Sequence, residues 1–330
     1  MIAVSQANRN PHLDSAVDRA QGGDVRFSER EAPPTHSNQL AIQLSCDRSG
    51  KTIVQQRYMA YPLSISPVFR READNPGANA SQRELKALRS RAYLYRMNTS
   101  PGLLAGDDLG VSLQLGAGSQ LYLADQSATK VHQMPQPGTQ ARVRYDIALA
   151  AGATLEFFPE PLILFAESDL AQTTDITAHP DAALSLAEII LPGRLARGES
   201  YQFRQFMSRI RVTSPTGELW FQETMKLTGQ DNRFVTSALF ASGPVLGGLL
   251  LLLPSKVPAA ADELKALGTE IEQQVEAGSS LSLASSILPG ERGLFIRAIA
   301  GTTREMQAGF KGALNCVRRH RNQAPLPYSV

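Results

Sequence analysis

Apolar positions two residues apart dominate the middle of the chain: Val111, Leu113 and Leu115; Leu121 and Leu123; Val143, Tyr145, Ile147 and Leu149. The alternation returns at Leu184 and Leu186, at Ile210 and Val212, and at Met225 and Leu227. Side chains of a strand point alternately to opposite faces, so a period of two predicts strands with one buried face. Turn residues between these runs at short intervals predict a β-rich domain. Runs at 39–46 and 52–59, joined by the turn formers Asp47-Arg48-Ser49-Gly50, add two strands, and 92–97 adds another. The most apolar run, 245–253, is stopped by Pro254. It is far short of the roughly 20 residues a bilayer span needs and reads as a buried strand.

A weak internal repeat underlies the alternation. The segment LGAGSQLYL (115–123) aligns with LAAGATLEF (149–157) and with AHPDAALSL (178–186). Each copy is a strand end, a turn of small residues and a new strand. The offsets from Leu121 to Leu155 to Leu184 are 34 and 29 residues. Spacing of this kind suits stacked β-layers that bury their inward faces on one another. Gly-rich hairpins of a two-sheet sandwich would look alike as well.

Helical periodicity enters late. Ala261, Leu264, Leu267, Ile271 and Val275 recur every three or four residues, after Pro258 and before Gly278, and predict a helix over 259–277. Thr302 with Glu305 three residues on is a capping box. It opens a second helix, 302–320, whose stripe is Met306, Phe310, Leu314 and Val317. Residues 1–36 mix charges without apolar patterning and read as a flexible N-terminal extension. The remainder, 37–330, reads as one domain, with 70–91 as an exposed loop. The expected fold class is mainly β, a stacked-layer, β-helix-like (solenoid) domain with a small C-terminal helical element.

Composition narrows the function. Lysine plus arginine is 33 against 31 acids, a formal net charge of +2 over 330 residues, which leaves no basic excess for nucleic acid or an anionic membrane surface. Two cysteines, Cys46 and Cys316, cannot build a disulfide framework, and no segment resembles a signal peptide, so the expected location is cytoplasmic. Ser49-Gly50-Lys51-Thr52 resembles the tail of a phosphate-binding loop, but Ser45 stands where the first glycine belongs and no helix pattern follows. No G-x-S-x-G, C-x-x-C or H-E-x-x-H occurs. The five histidines are far apart in sequence, so no tight imidazole or thiolate site is built locally.

Carboxylates offer weaker, exchangeable oxygen ligands. Asp125 follows Leu123 by two positions and Glu188 follows Leu186 by two; in the middle copy Pro159 takes that place, next to Glu160. If the copies stack, these three acids lie near one another. Glu156 and Glu188 also sit among apolar neighbours, where a carboxylate must be paired, protonated or wet. Solvated strand faces and loop salt bridges are the plainer alternative.

Five segments in order carry a family resemblance: SPGLLAGD (100–107), similar to G-G-x-x-G-G-D; QSATKVH (126–132); LEFFPEP (155–161); QTT (172–174); and EIILPGRLARGE (188–199), similar to E-I-x-x-x-G-R-x-x-x-G-E. Together they resemble the urease accessory protein family UreD, also called UreH. Pro101 and Ala105 depart from its glycines, and Ala187 stands where a tryptophan is common. The resemblance implies a right-handed β-helix-like fold and a non-enzymatic chaperone. Such a chaperone binds apo-urease with a UreF-type partner and a UreG-type GTPase, and passes a transient nickel ion through an internal passage, with no tightly bound cofactor. On that reading Asp107, Asp125, Glu156, Glu160 and Glu188 line or gate the passage. Thr129 and Lys130 position neighbouring turns, and Arg194 and Arg197 pair with carboxylates here or on a partner. The C-terminal helices and tail are expected to dock the UreF-type partner. The competing reading is a β-solenoid enzyme or binding protein acting on polysaccharide, against which stand 6% aromatic content and a single tryptophan, Trp220.

Overall fold

A computed structural model describes residues 38–70, 90–229, 237, 243–255, 261–275 and 278–326. The N-terminal extension and nearly all of the 70–91 loop lie outside the described residues. Strands β1 (Leu40–Cys46) and β2 (Thr52–Met59) form an antiparallel pair across the turn at Asp47, whose carboxylate accepts from the backbone N–H groups of Ser49 and Lys51 at 2.8 and 2.9 Å. This Asx-type turn is what Ser49-Gly50 serves, in place of a phosphate loop.

The chain continues through β3 (Leu63–Ile65), β4 (Ala92–Asn98), β5 (Asp108–Leu115), β6 (Gln120–Asp125), β7 (Thr129–Val131), β8 (Ala141–Leu149) and β9 (Thr154–Phe158). Then come β10 (Leu162–Leu164), β11 (Asp169–Ala178), β12 (Ala183–Leu191), β13 (Gln205–Thr213), β14 (Leu219–Thr228) and β15 (Val245–Leu252). Helix α1 (Ala261–Gln273), β16 (Ser282–Ile287), β17 (Gly293–Ala300) and helix α2 (Thr303–His320) complete it. The first sheet runs β14-β13-β11-β8-β5-β1-β2; the second runs β16-β17-β15-β12-β9-β6-β4-β3, with β10 and β7 attached. From β5 to β13 the long strands fall alternately in the first and second sheet, and those that neighbour one another are parallel. Antiparallel strands flank these parallel cores, so both sheets are mixed and open.

The repeat is realised residue by residue. Leu121 pairs with Leu155 and Leu155 with Leu184 in the second sheet, while Leu115 pairs with Leu149 and Leu149 with Ala178 in the first. Parallel neighbours place equivalent residues side by side, so each period-two stripe becomes a continuous apolar layer. Leu113, Ile147 and Ile176 on one side meet Leu123, Phe157 and Leu186 on the other, all at most 6% exposed.

The second sheet is also covered outside, which is why β12 is buried along almost its whole length. Ala187, Ile189, Leu249, Leu251 and Ile296 pack under Leu264, Leu267 and Ile271 of α1 and Met306, Phe310 and Val317 of α2. The late apolar stripes are therefore consumed by the chain's own core. Gly247 allows α2 its close approach: a Cβ there would sit 2.5 Å from Met306 Sδ and 2.7 Å from Phe310 Cζ. Thr302 Oγ1 accepts from the Glu305 N–H at 3.2 Å, as the capping box predicts. The tail folds back so that the Leu326 N–H donates to Asn315 at 2.8 Å, and Leu326 is 9% exposed. No helix among the described residues is long and apolar enough to cross a membrane.

Candidate functional site

Strand parity puts polar groups into an apolar layer. Arg96, Asp125 and Glu188 each stand two positions past an inward-facing leucine: Leu94, Leu123 and Leu186. All three side chains thus point between the sheets. Arg96 and Asp125 are register partners on β4 and β6. Arg96 Nε and Nη2 donate to the two Asp125 oxygens at 2.7 Å each, and Arg96 Nη1 donates to Tyr145 Oη of the first sheet at 2.5 Å. Burial alone would weaken the guanidinium's hold on its proton; the charge of Asp125, followed by Tyr145, reverses that and pushes its pKa up.

Glu188 is handled differently. Its Oε1 accepts from Gln172 Nε2 at 2.7 Å and from Ser208 Oγ at 2.8 Å, two neutral donors from β11 and β13 across the interior. Arg297 faces it at longer range but is paired with Glu223. Burial raises the Glu188 pKa, and the Ser208 hydrogen bond, Arg297 and Gln172 offset this only in part. A raised carboxyl pKa penalises folding above the folded-state value, and the penalty fades as pH falls toward the unfolded value. Glu188→Gln is therefore expected to raise the melting temperature at pH 8 and to lose that gain near pH 5, read from melting curves at the two pH values.

These groups line two abutting cavities, each of about 30 Å³. Both are bounded by Arg96, Asp125, Tyr145 and Gln172. One extends to Asn98, Ser127 and Thr129, the other to Glu188 and Glu160. A water needs roughly 10–15 Å³, so each has room for one or two. The second cavity is bordered by Pro159, Glu160, Ala187 and Ile189, where the ladder of the second sheet breaks: β12 pairs with β9 as far as Leu186 and with β10 from Ile190. Residues 187–189 lie between, opposite Pro159, which has no N–H to give a ladder.

The structure thus brings Asp125, Glu160 and Glu188 around one interior space, with Thr129 at its far end. The Glu160 carboxylate accepts from Gln307 Nε2 of α2 at 2.8 Å. Asp107 is elsewhere: it closes the turn before β5, accepting from the Leu104 N–H at 2.8 Å. Glu156 lies on the opposite face of the second sheet because it is one residue out of phase with Leu155 and Phe157. There, 1% exposed, it is clasped by Arg91 and Arg318, with Arg318 Nε at 3.0 Å from Oε1. Burial would raise its pKa; Arg318 and Arg91 more than reverse this and hold it at about 2. Arg91, expected in an exposed loop, is 4% exposed for the same reason. Lys130 is exposed on β7. Arg194 pairs with Glu199, Nε to Oε2 at 2.9 Å, and lies over the Phe165 ring; Arg197 is exposed in the short 3-10 helix Leu195–Arg197. Among the described residues no three His, Cys, Asp or Glu side chains converge as a metal cluster.

Sequence reasoning missed Arg96, Tyr145 and Ser208. The signal for Arg96 was available: the strand AYLYRMN (92–98) carries its single charge at the parity of Ala92 and Leu94, the offset that marked Asp125 and Glu188.

The sequence model of the UreD urease accessory protein family matches residues 36–329. The urease accessory protein UreD of Trichodesmium erythraeum (strain IMS101) is 45% identical over 293 residues, 88% of this chain and 98% of that protein. UreD of Haloarcula marismortui is 30% identical over 227 residues, covering 68% of this chain and 72% of that protein. UreD 2 of Streptomyces griseus is 28% identical over 283 residues, covering 85% and 89%. The family match spans nearly all of the two-sheet fold and its helices, and on that ground the chain belongs to the UreD family of urease accessory proteins.

Proposed function

We propose that this chain is a non-catalytic factor in the cytoplasmic maturation of urease. It assembles with a UreF-type protein and a UreG-type GTPase on apo-urease, and nickel reaches the urease active site through the polar seam between its two sheets. Family membership supports the maturation role. The observation that carries the passage reading is the run of oxygen groups through an otherwise apolar interior: Ser127, Thr129, Asp125, Tyr145, Gln172, Glu188 and Glu160 border two adjoining cavities. A conduit must bind weakly enough to release, and scattered oxygen ligands do this where a Cys/His cluster would trap the ion. The alternate winding of β5 through β13 between the sheets supports a short β-helix-like stack as the scaffold, with the seam running across its layers.

The test is urease activation by the complete accessory set over a range of nickel concentrations. Glu188→Gln should slow activation on the order of tenfold at limiting nickel, with recovery at high nickel and unchanged co-purification of partners. Normal activation at every nickel concentration by a folded Glu188→Gln chain would remove that residue from the route. For partner docking, the burial of both helical stripes shifts the expectation: deleting residues 327–330 should leave binding of the UreF-type protein within about twofold in a pull-down, since the apolar faces of α1 and α2 are already occupied. A larger loss would place the contact in those last residues.

A further inference from the structure

We infer that Arg96 is a displaceable plug in the seam, which a divalent cation can dislodge from Asp125 and a monovalent cation cannot. The inference rests on the passage reading above and adds its regulation. The Arg96–Asp125 pair borders both cavities, so an ion moving from the Thr129 end to the Glu188 end must pass it. Asp125 is the carboxylate within that boundary, and both of its oxygens are already taken by the guanidinium fork.

A monovalent ion offers the carboxylate no more charge than the guanidinium does and lacks its two-point hydrogen bonding. A divalent ion doubles the attraction at equal distance. Arg96 also has a second hold that does not involve Asp125: Nη1 donates to Tyr145 Oη at 2.5 Å, and the guanidinium lies 5.4 and 5.7 Å from the ring centres of Tyr145 and Phe157. The displaced side chain therefore keeps a polar and an aromatic partner. The displaced guanidinium repels the incoming ion, and Glu188 lies onward, bound by the neutral donors Gln172 and Ser208. The plug thus favours release of the ion toward Glu188 rather than retention at Asp125.

The experiment is competition of nickel(II) alone between the full chain and a chromogenic chelator. A binding site populated only when its plug is out shows an affinity reduced by that population, so Arg96→Gln should raise apparent nickel affinity on the order of tenfold. The gain should vanish in Arg96→Gln/Asp125→Asn, and added potassium at constant ionic strength should weaken nickel binding in Arg96→Gln but not in the unmodified chain. Unchanged affinity in Arg96→Gln, or a gain that survives loss of Asp125, overturns the inference. Should Arg96→Gln fail to fold by circular dichroism, Arg96→Lys keeps the charge but loses the fork, and a folded Arg96→Lys chain with unaltered nickel affinity overturns it equally. A nickel gain that depends on Asp125, together with normal urease activation by Glu188→Gln, would support the plug while removing Glu188 from the route.

Discussion

Replacing Glu156 with glutamine is expected to destabilise the fold by about 3–5 kcal/mol at pH 7, the range found when one partner of a buried ion pair is removed. The carboxylate joins two parts of the chain: Arg91 immediately precedes β4 and Arg318 lies in the last turn of α2. Both arginines are nearly inaccessible, so glutamine would leave two buried guanidiniums without a counter-charge. Arg321 sharpens the effect. Burial, followed by the charge of Arg91, already lowers its pKa to about 10, and its Nη2 donates only to the Thr154 hydroxyl, at 3.1 Å, among the described residues. Because the folded pKa of Glu156 is depressed to about 2, its contribution is present above the unfolded value near 4.5 and is lost as pH falls toward 2. Urea unfolding at pH 7 and at pH 3.5 should show the difference between the two chains shrinking with pH. A loss below about 1 kcal/mol at pH 7 would mean the cluster is wet enough to be treated as a surface pair.

Gly293→Ala should be as damaging, for a steric reason. Gly293 begins β17 at φ +142°, a conformation L side chains rarely adopt, and an added Cβ would lie 1.9 Å from the Leu251 carbonyl oxygen. That oxygen belongs to the backbone of β15, which pairs with β17 along its length, so relief requires opening the ladder. We expect a loss of about 4 kcal/mol or more, or no soluble protein. Gly247→Ala is the control. Its obstacles are the ends of Met306 and Phe310, which can shift, and the expected cost is about 1–3 kcal/mol. Equal effects would show that backbone and side-chain crowding are not distinguished here.

How far the sequence was legible follows from what each signal encodes. The 115–123, 149–157 and 178–186 copies announced strands and suited stacked layers, with sandwich hairpins as the alternative; that the copies pair in parallel, like residue beside like residue, is a finding of the structure. Parity likewise placed Asp125 and Glu188 on one face and could have placed Glu156 on the other, since Leu155-Glu156-Phe157 alternates within a single strand. Its arginine partners were not legible: Arg91 and Arg318 lie 65 and 162 residues away, and no local pattern carries such a separation. The break in the second sheet at Pro159 was half legible. The proline was visible, but the gap depends on β10 taking over the pairing with β12. Asp107 stands apart from the others: its motif led to a role in the passage, and its carboxylate accepts from the Leu104 N–H in the turn before β5.

The clasp of α2 on Glu156 also has a consequence in time. Ribosomal synthesis runs from the N-terminus, so the layers from β4 to β12 emerge well before Met306, Phe310 and Arg318 exist. During that interval the outer wall of the second sheet, Ala187 and Ile189 among it, has no cover from α2, and Glu156 has Arg91 as its one cation of the pair. Nascent chains stalled before residue 303 should present a sticky surface to neighbouring polysomes and to ribosome-associated chaperones. The yield of this protein in a cell would then depend on how quickly its final helix is delivered.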